Sequence, residues 1–513
     1  MHLSADYVLN HPPATAAQRP PAALLQLPEK VLQFGTGALL RGLPDYLIDK
    51  ANRQGLFNGR IVAVKSTEGG DLAAFRRQDS LYTLCIRGVD QGQLIDETVV
   101  CSAISRVLSA KRDWAEILRV AANPDLQLVL SNTTEVGIQL VQDNIRQAPP
   151  QSFPGKLLAV LYARYGAFAG DPARGLVIVP TELIPENGTR LEAIVLELAH
   201  RNGLEAAFID WLESANTFCN SLVDRIVPGA PDSATQPQWH ARLGYTDALL
   251  IITEPYRLWA IELPTESDSE QVRSALSFQA ADRGIWVQPD ITLFRELKLR
   301  LLNGAHTLSC GLAQLAGCQT VRDTMQHQTL AAYVRSLLLA ELVPGMPYAL
   351  DDKLVQRFAL DTLDRFQNPY IEHRWLSITL NYSAKMQARV VPTLLHYQAR
   401  FSTVPRYMAL GLAGYLCFTR PLYQHKGVWY GDENGTPYPI QDERAAYFAE
   451  LWQTTPPEAL VLTVLRNRSL WGHDLTQLPG LTDAVTTYLT DLLTAGVTPT
   501  VATLFTRPES IPL

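Results

Sequence analysis

The sequence predicts an N-terminal α/β domain built on a parallel sheet, followed by a mainly α-helical C-terminal domain. With 513 residues, the chain is too long for a single hydrophobic core. Short buried strand patterns alternate with helical patterns in the first half, as βαβ units require. Beyond about residue 289 the strand patterns fade and helical periodicity dominates. We therefore expect an N-terminal arm at 1–27, a dinucleotide-binding domain at 28–288 and a helical substrate domain at 289–513.

The composition restricts the partners that the protein can have. Hydrophobic residues make up 47% and charged residues 19%, which is typical of an ordinary globular protein. The formal net charge of −7 argues against nucleic acid or an anionic membrane as partner. No apolar run approaches the roughly 20 residues that span a bilayer. The Pro/Ala-rich start lacks the pattern of a signal peptide, so we interpret it as an extended arm.

The cysteines point to a reducing compartment. Six are scattered along the chain without a CxxC pair, as expected for reduced, buried thiols in a cytoplasmic enzyme. Neither a closed zinc site nor an HExxH motif is present, so we expect no metal. The expected partner is a small molecule, and the expected assembly is a monomer or a small homo-oligomer.

A glycine turn follows the first predicted strand, at 30–34, and leads into a helical pattern at 39–52. A strand, a tight Gly35-Thr36-Gly37 turn and a helix start form a pyrophosphate seat, because bare backbone N–H groups face the anion. Leu40 stands where the third glycine of a GxGxxG fingerprint would be, and a plain βα turn explains a partial fingerprint nearly as well. The candidate cofactor residues of this Rossmann-like turn are Gln33, Phe34, Gly35, Thr36, Gly37, Ala38, Leu39, Leu40 and Arg41.

Two further predicted strand ends carry candidate cofactor residues. The strand at 60–64 ends in Lys65-Ser66-Thr67-Glu68, where Glu68 is the nearest acid for a ribose hydroxyl and Lys65 and Ser66 would tolerate a 2′-phosphate. The strand at 126–130 ends in SNTTE, from Ser131 to Glu135. Small polar residues at the carboxyl end of a central strand lie where dinucleotides bind, although they could equally cap the next helix. The candidates here are Ser66, Ser131, Asn132 and Thr133.

The stretch from Lys298 to His306 places a Lys, an Asn and a His at offsets 0, 5 and 8. On a regular α-helix these positions share an arc of roughly 140°. A desolvated Lys298 could exchange a proton near neutral pH, Asn303 could donate a hydrogen bond to a developing alkoxide, and His306 could hold a neighbouring hydroxyl. A core helix with internally satisfied polar groups is the alternative, and spacing alone favours it.

The Lys298-x₄-Asn303-x₂-His306 pattern resembles the catalytic signature of the long-chain polyol-specific, mannitol-dehydrogenase-like family. The string at 298–317 and the SNTTE string are similar to its tagaturonate reductase (altronate oxidoreductase) branch, and the FGTGALLRG turn resembles the family's cofactor loop. The resemblance covers roughly residues 28–500. It implies Lys298 as acid/base, no metal requirement, and NAD as cofactor, with NADP not excluded.

The same resemblance implies further site residues. The NSLVDRI string, which begins at Asn220, is similar to a family element whose Asn reaches the active site, so Asn220 becomes a second amide donor. Lys385 matches a family Lys that faces the substrate, and Asn381 shares its face on a helix predicted at 377–389. Ser377 stands where mannitol dehydrogenases have an Arg, which argues against a polyol substrate and is compatible with a substrate that differs at one end. Lys385 is therefore a candidate for a carboxylate contact, with His373 as a weaker substrate-binding candidate.

The resemblance implies reversible NADH-dependent reduction of D-tagaturonate to D-altronate in hexuronate catabolism, at an active site between the two domains. Fructuronate reductase and mannitol dehydrogenase are the enzyme alternatives. A nucleotide-sensing protein on the same fold is the alternative from another class, although it would not need the proton donor.

Overall fold

The computed structural model describes residues 1–12, 17–66, 72–133, 137–267, 269–347, 351–433 and 435–506. The chain divides into two compact units, one of Met1–Arg87 with Leu94–Thr292 and one of Gly88–Gln93 with Leu293–Leu513. Within the described ranges, no helix combines the length and the apolar character that crossing a bilayer would require.

The first unit is organised around a six-stranded parallel sheet. Its strand order is β5-β2-β1-β6-β7-β8, which reverses direction between β1 and β6. This is the doubly wound dinucleotide-binding order, and it confirms the predicted Rossmann-like class. The strands of the unit are β1 Glu29–Phe34, β2 Arg60–Lys65, β3 Tyr82–Asp90, β4 Gln93–Cys101, β5 Ile104–Ser109, β6 Leu128–Ser131, β7 Val177–Pro180, β8 Thr217–Phe218, β9 Asn220–Asp224, β10 Ile251–Thr253, β11 Leu258–Glu262 and β12 Ile285–Gln288.

Helices cover both faces of the parallel sheet. Alternate residues of β1 enter two separate cores: Val31 lies in one, and Leu32 and Phe34 lie in the other. Burial on both faces explains why the strands read as continuous apolar runs. Two three-stranded sheets, β10-β3-β4 and β12-β11-β9, complete the unit. Its α-helices are Ala5–Asn10, Ala38–Gly42, Pro44–Arg53, Ala73–Arg77, Trp114–Ala121, Phe153–Ala167, Asn187–Arg201, Ala206–Ala215, Gln236–Leu243 and Glu270–Ala275, with 3₁₀ turns at Ala22–Gln26, Pro172–Arg174, Thr265–Ser267 and Ser277–Ala281.

The N-terminus differs from the predicted extended arm. Residues Ala5–Asn10 form a helix whose first turn is capped by the Ser4 hydroxyl, which accepts a hydrogen bond from the Tyr7 N–H. Leu3, Tyr7 and Val8 are buried in an apolar cluster with side chains from later in the unit. Burial of these three side chains fixes a segment that composition alone made look unstructured.

The second unit is mainly helical, as predicted. Three of its helical segments contain π turns, at Lys298–Leu302, Leu337–Leu342 and Met386–Val390. Its α-helices are Thr292–Leu297, Asn303–Leu315, Val321–Gln326, Gln328–Ser336, Asp352–Phe366, Trp375–Ile378, Tyr382–Lys385, Val391–Phe401, Arg406–Phe418, Ala445–Thr454, Pro457–Arg466, Arg468–Trp471, Leu481–Ala495 and Val497–Thr506, with a 3₁₀ turn at Leu475–Gln477.

A small antiparallel sheet in the second unit was not predicted. Its strands are β13 Tyr423–His425, β14 Val428–Glu433 and β15 Thr436–Ile440. Lys426 and Gly427 join the first two strands with positive φ angles of 48° and 82°. A two-residue hairpin loop needs such angles, and a Gly in its second position was the available sequence signal.

Candidate active site

The glycine turn and the first residues of the SNTTE string, Ser131 and Asn132, meet at the carboxyl edge of the parallel sheet. Phe34 at the end of β1 pairs in register with Ser131 at the end of β6. A Cβ added to Gly35 would lie 3.1 Å from the Asn132 carbonyl oxygen. The two segments are therefore adjacent where the strand order reverses, which is where this fold binds dinucleotides. Thr134 and Glu135 of the string, and Thr67 and Glu68 after β2, lie outside the described residues, whereas Ser66 is described and exposed.

The backbone of the glycine turn fits a bound phosphate. A Cβ on Gly37 would meet no atom within 4 Å, so the space beside this residue is open. Gly37 is the N-cap of helix Ala38–Gly42, and no side chain caps that end. The side chains of Phe34 and Leu40 point into the protein, since both are fully buried. Backbone groups, not these two side chains, are thus available to a dinucleotide.

Hydrogen bonds from buried side chains stabilise the glycine turn. Gln33 Nε2 donates hydrogen bonds to the Gly35 carbonyl (3.2 Å) and to Asp45 Oδ2 (3.3 Å). Burial raises the pKa of the Asp45 carboxyl to about 7. Arg41 donates to the carbonyls of Thr36 and Leu249 and lies over the rings of Phe75 and Tyr82. The Arg41 side chain therefore stabilises the turn by hydrogen-bonding to the main chain of Thr36.

Glu182 is a residue of this edge that the sequence analysis missed. Its carboxylate accepts hydrogen bonds from Ser131 Oγ (3.0 Å) and from the Thr133 N–H (2.8 Å) and Oγ1 (2.9 Å). Asn132 Nδ2 donates to the carbonyl (3.1 Å) and hydroxyl (3.0 Å) of Thr181. Residues 181–182 directly follow β7, so their position at the end of a buried strand was the signal that could have identified them.

Asn220 lies in the first unit at the start of β9. Its Nδ2 donates to Glu262 Oε1 (2.8 Å) and to Thr189 Oγ1 (3.2 Å), and its Oδ1 accepts from the Thr189 N–H (3.0 Å). Glu262 is the register partner of Asn220 on β11. Both hydrogens of the Asn220 amide are therefore engaged inside this unit.

The expectation that Lys298, Asn303 and His306 lie on one regular α-helix is wrong. Residues Lys298–Leu302 form a π turn, and the Asn303 N–H donates to the Lys298 carbonyl five residues earlier. Asn303 then begins the α-helix Asn303–Leu315. The extra residue in the turn changes the angle between Lys298 and the two later side chains. Such single π turns inside α-helices occur frequently at functional sites.

His306 is buried against aromatic rings. Its ring stacks on Phe366 with 4.2 Å between centroids and meets His373 edge-on at 5.0 Å. Among the described residues, no partner hydrogen-bonds its buried Nε2. Burial, with the nearby charges of His373, Arg365 and Arg389, lowers the pKa of His306 well below 6.5. A neutral imidazole with an unpaired nitrogen is suited to hold a hydroxyl of a ligand.

Asn381 and Lys385 do not share a continuous helix, so the predicted helix at 377–389 is wrong. The chain breaks into Trp375–Ile378 and Tyr382–Lys385, with Asn381 between them in the left-handed region at φ 51°. Asn tolerates this conformation better than most residues. The Asn381 side chain is exposed ahead of the helix. The argument that it presents the same helical face as Lys385 therefore fails.

Lys385 is half-buried and lies close to a second cation. Its Nζ donates to the Ile378 carbonyl (2.9 Å). Burial and the charge of Arg389 lower the pKa of Lys385. Arg389, which the sequence analysis did not single out, donates through Nη1 to Thr307 Oγ1 (3.2 Å). Its place four residues after Lys385 was a usable signal, because residues one helical turn apart are neighbours.

Two family models match consecutive parts of the chain. The family description "Mannitol dehydrogenase Rossmann domain" matches residues 29–272, and "Mannitol dehydrogenase C-terminal domain" matches residues 290–493. An altronate oxidoreductase of Bacillus subtilis is 38% identical over 92% of this chain and 94% of its own. An altronate oxidoreductase of Klebsiella pneumoniae is 37% identical over 92% of this chain and 96% of its own.

Solved structures share the fold. D-sorbitol dehydrogenase in substrate-free form superposes with a TM-score of 0.77 at 21% identity, covering 98% of this chain and 100% of its own. Pseudomonas fluorescens mannitol 2-dehydrogenase, in a ternary complex with NAD and D-mannitol, gives a TM-score of 0.63 at 23% identity and covers 99% of this chain and 100% of its own. The chain therefore belongs to the mannitol dehydrogenase family, as an oxidoreductase acting on a CH–OH group, and its predicted resemblance to the altronate oxidoreductases is confirmed.

Proposed function

We propose that the protein catalyses the reversible, NAD(H)-dependent and metal-independent reduction of D-tagaturonate to D-altronate in the cytoplasm, as a step of hexuronate catabolism. The observation that carries this proposal is a group of polar side chains of the second unit in which one imidazole nitrogen has no hydrogen-bond partner and two cations have no counter-ion among the described residues. His306 Nε2 lacks a partner, and neither Lys385 nor Arg389 has an ion-pair partner among the described residues. The names of the curated relatives supply the substrate.

In this proposal, residues 28–288 hold the dinucleotide and residues 289–513 hold the sugar acid. The backbone of the glycine turn would hold the pyrophosphate, together with Asn132 and Thr133 after β6 and Ser66 after the neighbouring strand β2. When bound, the nicotinamide supplies hydride to the ketone carbon. We propose NAD rather than NADP by analogy with the family.

Lys298 has the role of general acid in the reductive direction, giving its proton to the ketone oxygen and taking it back in oxidation. The Asn303 side-chain amide has no hydrogen-bond partner within the described ranges, so it is available to donate to the oxygen as negative charge develops. Asn220 could add a second donor only by releasing Glu262 or Thr189. His306, as a neutral imidazole, positions a substrate hydroxyl.

The substrate carboxylate requires a positive subsite, because the protein as a whole carries a net charge of −7. Lys385 provides one cation, and its lowered pKa reports the cost of holding that charge away from water without a counter-ion. A carboxylate would remove this cost, whereas a neutral sugar would not. We propose that His373, whose ring lies edge-on to His306, contacts the same ligand.

A substrate panel tests this proposal. NADH and NADPH oxidation are measured with D-tagaturonate, D-fructuronate and D-fructose, each with and without EDTA. The expected result is the highest kcat/KM with tagaturonate and NADH, unchanged by EDTA. Preference for fructuronate would identify the protein as a fructuronate reductase, and preference for fructose would identify it as a mannitol dehydrogenase. Loss of activity with EDTA would show that the reaction requires a metal. No oxidation with any ketose would favour a nucleotide-sensing protein.

A further inference from the structure

We propose that Arg389 is the residue that selects a carboxylate-bearing substrate, forming with Lys385 a pair of cations that bind the carboxylate from two sides. This inference rests on the proposed function of the same site and names the residue that decides its substrate class. Lys385 alone would offer a point charge, whereas a guanidinium offers two parallel N–H donors that match the two carboxylate oxygens.

A hydrogen bond joins Arg389 to the helix Asn303–Leu315. Its Nη1 lies 3.2 Å from Thr307 Oγ1, and Thr307 is the fully buried residue that follows His306. The Thr307 hydroxyl donates to the Asn303 carbonyl (2.6 Å), so its oxygen is oriented to accept from Arg389. One N–H of the guanidinium is thereby anchored beside Asn303 and His306, and other donors remain for a ligand.

The backbone that carries Arg389 is tied to the turn that carries Lys298. Arg300, inside the π turn Lys298–Leu302, donates through Nη1 to the carbonyls of Ala388 and Arg389. Arg300 is itself held by Glu296, 2.9 Å from its Nε. The two π turns are therefore joined by a buried guanidinium. This link fixes the distance between a carboxylate held at Arg389 and a ketone oxygen protonated by Lys298.

Basic side chains are concentrated around Arg389. Burial lowers the pKa of Arg389, and its positive charge in turn lowers the pKa values of Lys385 and His306. In the part of the chain that the structure describes, the ionisable groups that shift the pKa values of these three side chains are Arg389 itself, His373, Arg365 and Cys310, and none of them is a carboxylate. Half-buried cations that repel one another are costly unless an anion joins them. A carboxylate from the substrate supplies that anion.

The test compares Arg389→Met with the exposed Arg357→Met of helix Asp352–Phe366 as a matched control. Steady-state kinetics with NADH are measured for tagaturonate, fructuronate and fructose, together with NADH affinity. In Arg389→Met, we expect KM for both keto-uronates to rise about 10- to 150-fold, the range for losing a charged hydrogen bond, while KM for fructose and NADH affinity stay unchanged. Arg357→Met should leave all values at those of the parent protein.

Two further variants separate selection from folding. Arg389→Lys keeps the charge but loses the paired donors, so it should recover only part of the keto-uronate KM. Thr307→Val removes the anchoring oxygen at nearly constant volume and should raise KM for keto-uronates only, by less than Arg389→Met does. If Arg389→Met fails to fold, the KM values of these two variants for keto-uronates test the inference instead.

The outcomes distinguish this inference from the proposed function. An equal loss with fructose and keto-uronates, or no loss with either, would overturn the role of Arg389 while leaving tagaturonate reduction intact. A parent enzyme that prefers fructuronate would overturn the proposed substrate but keep Arg389 as the carboxylate contact. For a parent protein without turnover, calorimetric titration with altronate and with mannitol replaces the kinetics, and equal altronate binding by parent and Arg389→Met would overturn the inference.

Discussion

Leu40 occupies the space that a side chain on residue 35 would need, because a Cβ built on Gly35 would lie 2.6 Å from Leu40 Cδ1. The φ angle of Gly35 is +132°, which other residues rarely adopt. Leu40 stands at the third position of the glycine fingerprint, where a small residue usually lets the helix approach the strand. Here a leucine packs over a glycine instead, so the close approach of helix Ala38–Gly42 to strand β1 depends on Gly35.

The two glycines of the turn should respond differently to alanine. Gly35→Ala forces both a strained φ and a collision, so we expect a loss of about 1–3 kcal/mol in the unfolding free energy of the first unit and weaker NADH binding. Gly37 has an ordinary φ of −66° and open space around its Cα. Gly37→Ala should therefore leave stability nearly unchanged and weaken NADH binding only. Urea unfolding and NADH fluorescence titration measure both effects. Equal stability losses in the two variants would contradict this account of the turn.

Lys298→Ala should lower kcat by about 10²- to 10⁴-fold, the usual contribution of a positioned general acid, while NADH still binds. Single-turnover kinetics with tagaturonate and NADH titration separate the two steps. Lys353→Ala, a change at an exposed lysine of the same unit, is the control and should match the parent. Unchanged turnover in Lys298→Ala would remove this residue from its proposed role.

The parallel sheet was predictable because its determinants are local. Alternating apolar runs, a glycine turn after β1 and small polar residues after β6 predict strands and their carboxyl ends. Because β1 and β6 are neighbours, the register of Phe34 with Ser131 is enough to bring the predicted cofactor residues after the two strands together. The hydrogen bonds of Glu182 and Glu262 were not predictable, because each joins residues far apart in the sequence across neighbouring strands.

The helical unit was predicted less accurately because its irregularities depend on tertiary contacts. A 3.6-residue pattern over 298–306 cannot reveal the π turn that inserts a residue after Lys298. The left-handed Asn381, whose N–H bonds to the Gln441 carbonyl, likewise ends one helix and begins another through a distant contact. As a result, the sequence identified Lys298, His306 and Lys385 as candidates but misjudged the helical faces that relate them.

The pH dependence of kcat/KM for tagaturonate should not include a titration of His306. Because its pKa lies well below 6.5, the imidazole stays neutral as the pH falls from 8 to about 6. We expect His306→Phe to lower kcat/KM for tagaturonate about tenfold through the lost hydrogen bond. His306→Gln, which keeps a hydrogen-bonding group, should lose less, and its profile should have the same shape as that of the parent. The exposed His425→Gln is the control. Disappearance of an acidic limb near pH 6 in His306→Gln would contradict a neutral His306.

Asp45 should make the first unit less stable as the pH rises. Its folded-state pKa of about 7 lies above the ordinary value of 3.8, so the native protein binds more protons than the unfolded chain between about pH 4 and 7. Stability from this group is fully present at lower pH and is lost as the pH rises through 7. Asp45→Asn lacks this titration but keeps an oxygen for Gln33. Between pH 5.5 and 8.5 the unfolding free energy of the parent should therefore fall by about 2 kcal/mol more than that of Asp45→Asn.

Urea unfolding at the two pH values, followed by the far-ultraviolet signal, measures this difference, with the exposed Asp125→Asn as a control that should follow the parent. The readout can be extended to the cofactor, because Gln33 joins Asp45 to the Gly35 carbonyl. Because the hydrogen bond from Gln33 favours the ionised carboxylate, ionisation of Asp45 should tighten this contact and change the NADH affinity of the parent between pH 6 and 8 more than that of Asp45→Asn. Parallel pH dependences in parent and variant, for both stability and NADH affinity, would show that Asp45 does not titrate in this range.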